Sequence, residues 1–127
     1  MKIPENLKYT NDHEYFNLVD NAGIVGITDY AQSELGDIIF VDVTVSVGSE
    51  VKQNQSLGSI EAVKTVSEIL SPVSGKVIEI NSGINDNPSV VNDDPYVEGW
   101  IVKIEPSNMD EIKNLLDSKA YSELIGS

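Results

Sequence analysis

Ile60-Glu61-Ala62-Val63-Lys64-Thr65-Val66-Ser67-Glu68-Ile69 is the stretch that decides the fold. Read outward from the Lys64–Thr65 bond, it is nearly a mirror. Val63 faces Val66, Ala62 faces Ser67, Glu61 faces Glu68 and Ile60 faces Ile69. Opposite positions of an antiparallel hairpin share one environment, so a mirror of residue types predicts a hairpin. Lys64 and Thr65 then form a two-residue turn. Two features oppose this reading. Lys-Thr is a poor pair for turns that require positive φ, and Glu61 opposite Glu68 is a like-charge pair. A helix is the rival, because Leu57, Ile60, Val63 and Val66 step by three. Gly58 before the stretch, Pro72 and Gly75 after it, and the β-branched content within it favour strands.

An exposed lysine is usually no more than a solvated charge. Here, however, turn chemistry is sacrificed to keep Lys64 at the tip. A protruding primary amine is a ready acceptor for an acyl group, and the resulting amide converts the lysine stem into part of a long arm.

The flanking sequence reads as short strands cut by Gly and Pro. Tyr15–Val19 and Gly23–Ile27 flank a turn at Asp20-Asn21-Ala22. Thr28 to Gly36 predicts a short helix, capped by Thr28 or Asp29 and ended by Gly36. Ile38 to Val45 is the strongest strand, and its apolar start predicts burial on both faces. Near the C-terminus, Ser107 or Asn108 caps a helix carrying Met109, Ile112, Leu115 and Leu116 at helical spacing. A second apolar face at Tyr121, Leu124 and Ile125 ends at Gly126. The polar stretch from Asn81 to Gly99 is too long for an idle loop in a compact domain, so it is either functional or locally folded. Val90-Val91 predicts that part of it packs down. Asp86, Asp93 and Asp94 lack calcium-loop spacing and read as a solvated acidic loop.

The chain has 127 residues, which predicts one domain over 1–127. Eight cations stand against 21 Asp and Glu, for a net charge of −13. All eight are Lys. Such acidity opposes binding to nucleic acid or anionic lipid. The lack of Arg removes the planar fork that grips phosphates bidentately. Cys is absent, which excludes disulfides, thiolate metal sites and cysteine nucleophiles. His13 is the single histidine, so no multi-histidine metal site is expected. No apolar run approaches membrane-spanning length, and the first residues lack signal- or transit-peptide character. A cytoplasmic protein is expected.

The residues around Lys64 resemble a known pattern. Glu61-Ala62-Val63-Lys64, then Ser67-Glu68, Ser71-Pro72-Val73-Ser74-Gly75 and Val77-Ile78-Glu79-Ile80-Asn81, are similar to the lipoyl-attachment hairpin of the glycine cleavage H-protein family. His13-Glu14-Tyr15 looks like that family's His-Glu-aromatic element. Gly26 to Gln32 and Leu35 to Val41 are similar to its helix and following strand. Asn87-Pro88, Val91-Asn92, Asp94-Pro95-Tyr96 and Gly99-Trp100 match its downstream loop. The resemblance covers essentially the whole chain in order. Ala62 and Tyr15 depart from the family's common Ser and Trp. Val63 and Thr65 stand where biotin carriers place Met, which disfavours biotinylation.

The resemblance implies a mostly β fold: a flattened β-barrel or sandwich of the lipoyl/biotinyl (barrel-sandwich hybrid) type. It implies a short internal helix, a lipoyl hairpin at about 57–70 and C-terminal helices at about 108–125. It favours the hairpin over the helix and implies lipoate joined to Lys64 by an amide. The role implied is that of a non-catalytic carrier in the glycine cleavage system. Its partners would be the pyridoxal-phosphate glycine decarboxylase (P protein), the tetrahydrofolate-dependent aminomethyltransferase (T protein) and dihydrolipoyl dehydrogenase (L protein). A lipoate ligase or an octanoyl/lipoyl transferase would modify Lys64, with Glu61 as its candidate contact. Asp12, Glu14 and Glu68 are candidates to line a cleft that shelters the ammonium of the loaded arm; each is alternatively a solvated surface acid. His13 reads as a local hydrogen-bonding residue. Three rivals stand beside the carrier: an enzyme acting through His13, an H-like relay serving lipoylation of 2-oxoacid dehydrogenases, and an unmodified structural module.

Overall fold

The computed structural model describes residues 1–126. Among these residues, largely alternating apolar positions form nine strands in two antiparallel sheets. The larger sheet holds β1 (Lys8–Tyr9), β2 (Glu14–Val19), β3 (Ala22–Ile27), β9 (Val102–Pro106), β8 (Gly75–Ile80) and β5 (Glu50–Val51), in that order. The smaller holds β4 (Ile38–Val43), β6 (Ser56–Ala62) and β7 (Val66–Leu70). The expected fold therefore takes its sandwich form: two sheets rather than a closed barrel. Phe16, Val25 and Ile104 of the larger sheet are buried in one apolar cluster with Val41, Leu57, Ile60 and Ile69 of the smaller. Each such side chain contributes roughly 1.5–3 kcal/mol through burial.

The turn Asp20-Asn21 joins β2 to β3, with Asp20 in the left-handed region at φ 58°. Helix α1 (Asp29–Leu35) starts where Thr28 accepts from the Ala31 N–H and ends at Gly36, φ 79°. Both boundaries follow the sequence expectation.

Strand β4 differs from expectation in length and burial. It ends at Val43, and only one of its faces is buried. Ile38 and Val41 are buried, whereas Ile39 and Phe40 lie 53% and 42% exposed. The cause is a register shift between Ile38 and Phe40, which breaks the two-residue alternation. A second irregularity, in β6, requires Gly58. At φ 147°, an added Cβ there would stand 1.9 Å from the Asp42 carbonyl oxygen.

The segment 81–99 is locally folded, with a short 3-10 turn (Ile84–Asp86) and α2 (Val90–Asp93). Its asparagines act as struts. Asn85 takes both polar groups of Val41, accepting from N–H and donating to C=O at 2.8 Å each. Asn92 accepts from Ile38 N–H and donates to Gly36 C=O. The amides thus satisfy backbone groups along the outer edge of β4 that no neighbouring strand reaches. Val91 is buried and Val90 packs against the core.

Helix α3 (Met109–Lys113) is capped by Asn108, and Glu111 accepts from the Ser74 N–H and hydroxyl. Helix α4 (Ser118–Leu124) is capped by Asp117 and buries Tyr121. Tyr121 stacks on Tyr9 with ring centroids 4.6 Å apart. Leu124 and Met109, expected on apolar faces, are exposed. Among the described residues, no helix is long and apolar enough to cross a membrane.

Candidate functional site

Strands β6 and β7 form the hairpin, and Lys64 is exposed at its apex. The register differs from the mirror by one residue at the turn. Glu61 pairs with Val66, Ile60 with Ser67 and Ser59 with Glu68. Ala62 N–H donates to Thr65 C=O at 2.8 Å, so Val63 and Lys64 occupy the turn. The expected Glu61–Glu68 opposition is therefore absent, and with it the like-charge penalty. Similar residue types on each side did not mark the axis, because backbone pairing follows which face packs into the core, Ile60 and Ile69 inward, rather than identity of types.

The hairpin is tied at both ends. At the tip, Val63 N–H donates to Asp37 C=O at 3.1 Å, just past the end of α1. At the base, Leu70 N–H donates to Glu14 Oε2 at 3.2 Å. Lys64 belongs to neither of the two ion pairs found among the described residues.

Asp12, Glu14 and Glu68 line one cavity of about 280 Å³ between the start of β2, α1 and β7. Asp12 and Glu14 come from one stretch of sequence, and Glu68 borders the same cavity from the exposed face of the edge strand β7. Glu61 is not among them; it lies exposed on the outer face of the smaller sheet, opposite Phe40 and Val66. Ile27, Ile60 and Ile69 supply apolar wall. Glu34 and Leu35 line this cavity and also a second depression that contains Val63 and Lys64. They therefore stand between the lysine and Glu14.

The reading of the solvated surface acid fails for Glu14, which is 2% exposed. Its Oε1 accepts from the Thr10 hydroxyl at 2.6 Å. Burial nevertheless pushes its carboxyl up to about 7, with Thr10 and the Leu70 N–H opposing the rise and the Asp12 charge adding to it. His13 is held in the left-handed region at φ 71°. Its Nδ1 lies 2.9 Å from the Tyr121 hydroxyl, which is 2.7 Å from Thr28 Oγ1. Burial lowers the imidazole, and the Asp12 and Glu34 charges oppose that. His13 is thus a hydrogen-bonding residue that links the cavity to α4, with a partner distant in sequence rather than the local one expected.

Four contributors are absent from the sequence reading of the site. Thr10 is a neutral residue ahead of the His-Glu pair. Tyr121 lies 108 positions from His13. Glu34 and Tyr30 carry a usable signal, since they lie four apart on α1 and so share a face; the Glu34 hydrogen bond raises the Tyr30 phenol. Among the described residues, no group of three His, Cys, Asp or Glu could hold a metal ion.

The two-sheet sandwich with a lysine on a hairpin tip defines the class: a barrel-sandwich domain of the lipoyl/biotinyl type. The family model described as glycine cleavage H-protein matches residues 7–127. The glycine cleavage system H protein of Anoxybacillus flavithermus is 47% identical over 125 residues, covering 98% of each chain. That of Chlorobaculum parvum is 50% identical over 128 residues, covering 99% of each. The crystal structure of the glycine cleavage system H protein from Mycobacterium marinum superposes with a TM-score of 0.90 at 34% identity, covering 98% of this chain and 100% of that one. The chain belongs to the glycine cleavage H-protein family.

Proposed function

We propose that this protein is the lipoyl-bearing carrier of a glycine cleavage system, with Lys64 as the attachment site. The observation that carries the reading is an exposed Lys64 at a hairpin apex, beside depressions that lead through Glu34 and Leu35 to an acid-lined cavity. These residues fit the group. The lysine amine is accessible for an amide, Val63 and Leu35 offer apolar contact to an aliphatic arm, and the cavity ends in carboxylates. When bound, lipoate supplies a dithiolane that takes the aminomethyl group of glycine at the P protein, yields it to tetrahydrofolate at the T protein, and is reoxidised by the L protein.

The chain's own residues shelter the cargo. A primary amine on the arm is safest as an ammonium, because a free amine expels sulfur. Glu14 is the principal partner for that charge, with Asp12 and Glu68 beside it. Near neutrality the buried Glu14 shares its population between acid and carboxylate. An entering cation drives it to the carboxylate, and the proton leaves to solvent. Glu61, facing away from the cavity, is the contact for the lipoylating enzyme.

Exchange of the glycine carboxyl group with labelled bicarbonate, catalysed by a glycine decarboxylase, tests this reading. Lipoylated wild type supports exchange, and Lys64→Arg supports none. Exchange that persists in Lys64→Arg contradicts the reading. Full lipoylation without exchange identifies the relay role instead.

A further inference from the structure

The smaller sheet has an outer face that the carrier role leaves unexplained. Phe40, Glu61 and Val66 stand directly opposite one another across β4, β6 and β7. Directly opposed residues project to the same side, so they form one row. Phe40 and Val66 are 42% and 62% exposed, and Val63 beside Lys64 is 68% exposed. Ile39 extends the apolar strip at the β4 irregularity. The next row on that face is Asp42, Ser59 and Glu68, with both acids exposed; Glu68, on the edge strand, also borders the acid-lined cavity. Apart from Lys64 neither row nor turn holds a cation. An exposed apolar patch with a one-sign rim marks an interaction surface.

We propose that this strip docks the enzyme that acylates Lys64, a partner presenting an apolar contact bordered by Lys or Arg. The proposal rests on the reading of Lys64 as the attachment site. Reach selects this partner over the others. Enzymes that work on the far end of a lipoyl arm can bind wherever that arm extends. The acylating enzyme must bring an activated acyl carbon to Nζ itself, within one lysine stem of the turn. In that transfer the acyl carbon joins Nζ, the bond from the acyl carbon to the phosphate oxygen of an acyl adenylate breaks and the nucleoside monophosphate leaves, and the two protons lost from the ammonium go to solvent or a base. Val63 adjoins Lys64, and Val66, Glu61 and Phe40 form the exposed row next to the turn, so the strip borders the reacting amine. The β4 irregularity re-aims Phe40 outward, and Asn85 and Asn92 hold β4 in that setting.

The probe is a bacterial lipoate ligase charged with lipoyl adenylate. Affinity is measured by fluorescence anisotropy with full-length carrier bearing Lys64→Arg, which binds but cannot be acylated. Adding Phe40→Thr and Val66→Thr weakens binding at least tenfold. With Lys64 restored, the same pair raises the KM for carrier at least tenfold, while kcat at saturation stays within twofold. Val19→Thr, an exposed valine on the other sheet, changes neither. Asp42→Lys tests the rim without touching the core and raises KM at least threefold, an effect that shrinks with added salt. Affinity within twofold of the parent for Phe40→Thr/Val66→Thr, or equal loss with Val19→Thr, overturns the docking proposal. Failure of unaltered carrier to be acylated at all overturns the attachment reading instead.

Discussion

Glu14 holds the central position at the residue scale. It is a buried carboxyl that also accepts hydrogen bonds from Thr10 and Leu70. In the unfolded chain it ionises near 4.5; in the folded protein, burial moves this to about 7. Between those values the folded state binds more protons, so its contribution to stability falls as pH rises from about 4.5 to about 7 and is level above. Glu14→Gln removes that slope. The variant's amide oxygen can accept from Leu70 while its amino group donates to Thr10. Urea unfolding across this range is expected to show the variant close to wild type near pH 4.5 and more stable at pH 8, by roughly 1–3 kcal/mol at about 1.4 kcal/mol per pH unit. Parallel pH profiles contradict the assignment. On the functional side, Glu14→Ala is expected to shorten the lifetime of the aminomethyl-loaded carrier, measured by release of formaldehyde. An unchanged lifetime removes Glu14 from the shelter.

At the scale of elements, the irregularities locate the fragile points. Gly58→Ala drives a Cβ against the Asp42 carbonyl in a backbone conformation that side chains rarely adopt. It is expected to cost more than about 3 kcal/mol, since neither strand can yield without losing the β4–β6 ladder. Thermal unfolding checks this, and an unchanged midpoint contradicts it. Asn85→Ala leaves Val41 N–H and C=O without their amide partner and is expected to cost about 1–3 kcal/mol. Much of this scale was legible beforehand. Thr28 and Gly36 mark α1 because capping is local chemistry. The pairing of β2 with β3 follows from alternation around a short turn. Phe40 was misread because a bulge leaves no periodic trace in an apolar run. The hairpin turn falls one residue earlier than the mirror predicts, since symmetry of residue types does not fix backbone register. Asp12, Glu14 and Glu68 were gathered through family resemblance. The Tyr121 contact with His13 was not legible, because a contact across 108 residues has no local signature.

At the scale of the whole molecule, charge and shape serve brief encounters. Acylation of Lys64 removes a cation from a chain already at −13. Long-range attraction to basic surfaces raises association rates without adding buried contact, and it is screened over a Debye length of about 10 Å at 0.1 M salt. Association of the lipoylated protein with glycine decarboxylase, followed by stopped flow, is expected to slow several-fold between about 0.05 and 0.5 M salt. Rates indifferent to salt remove steering from the account. Every one of these encounters presupposes a modified Lys64, and intact-mass measurement tests that most directly. After expression with lipoate and a competent ligase, the expected result is a mass increase of one lipoyl group, assigned to Lys64 by peptide fragmentation and absent from Lys64→Arg. An unmodified chain in that host, or a lipoyl group on another lysine, would contradict it.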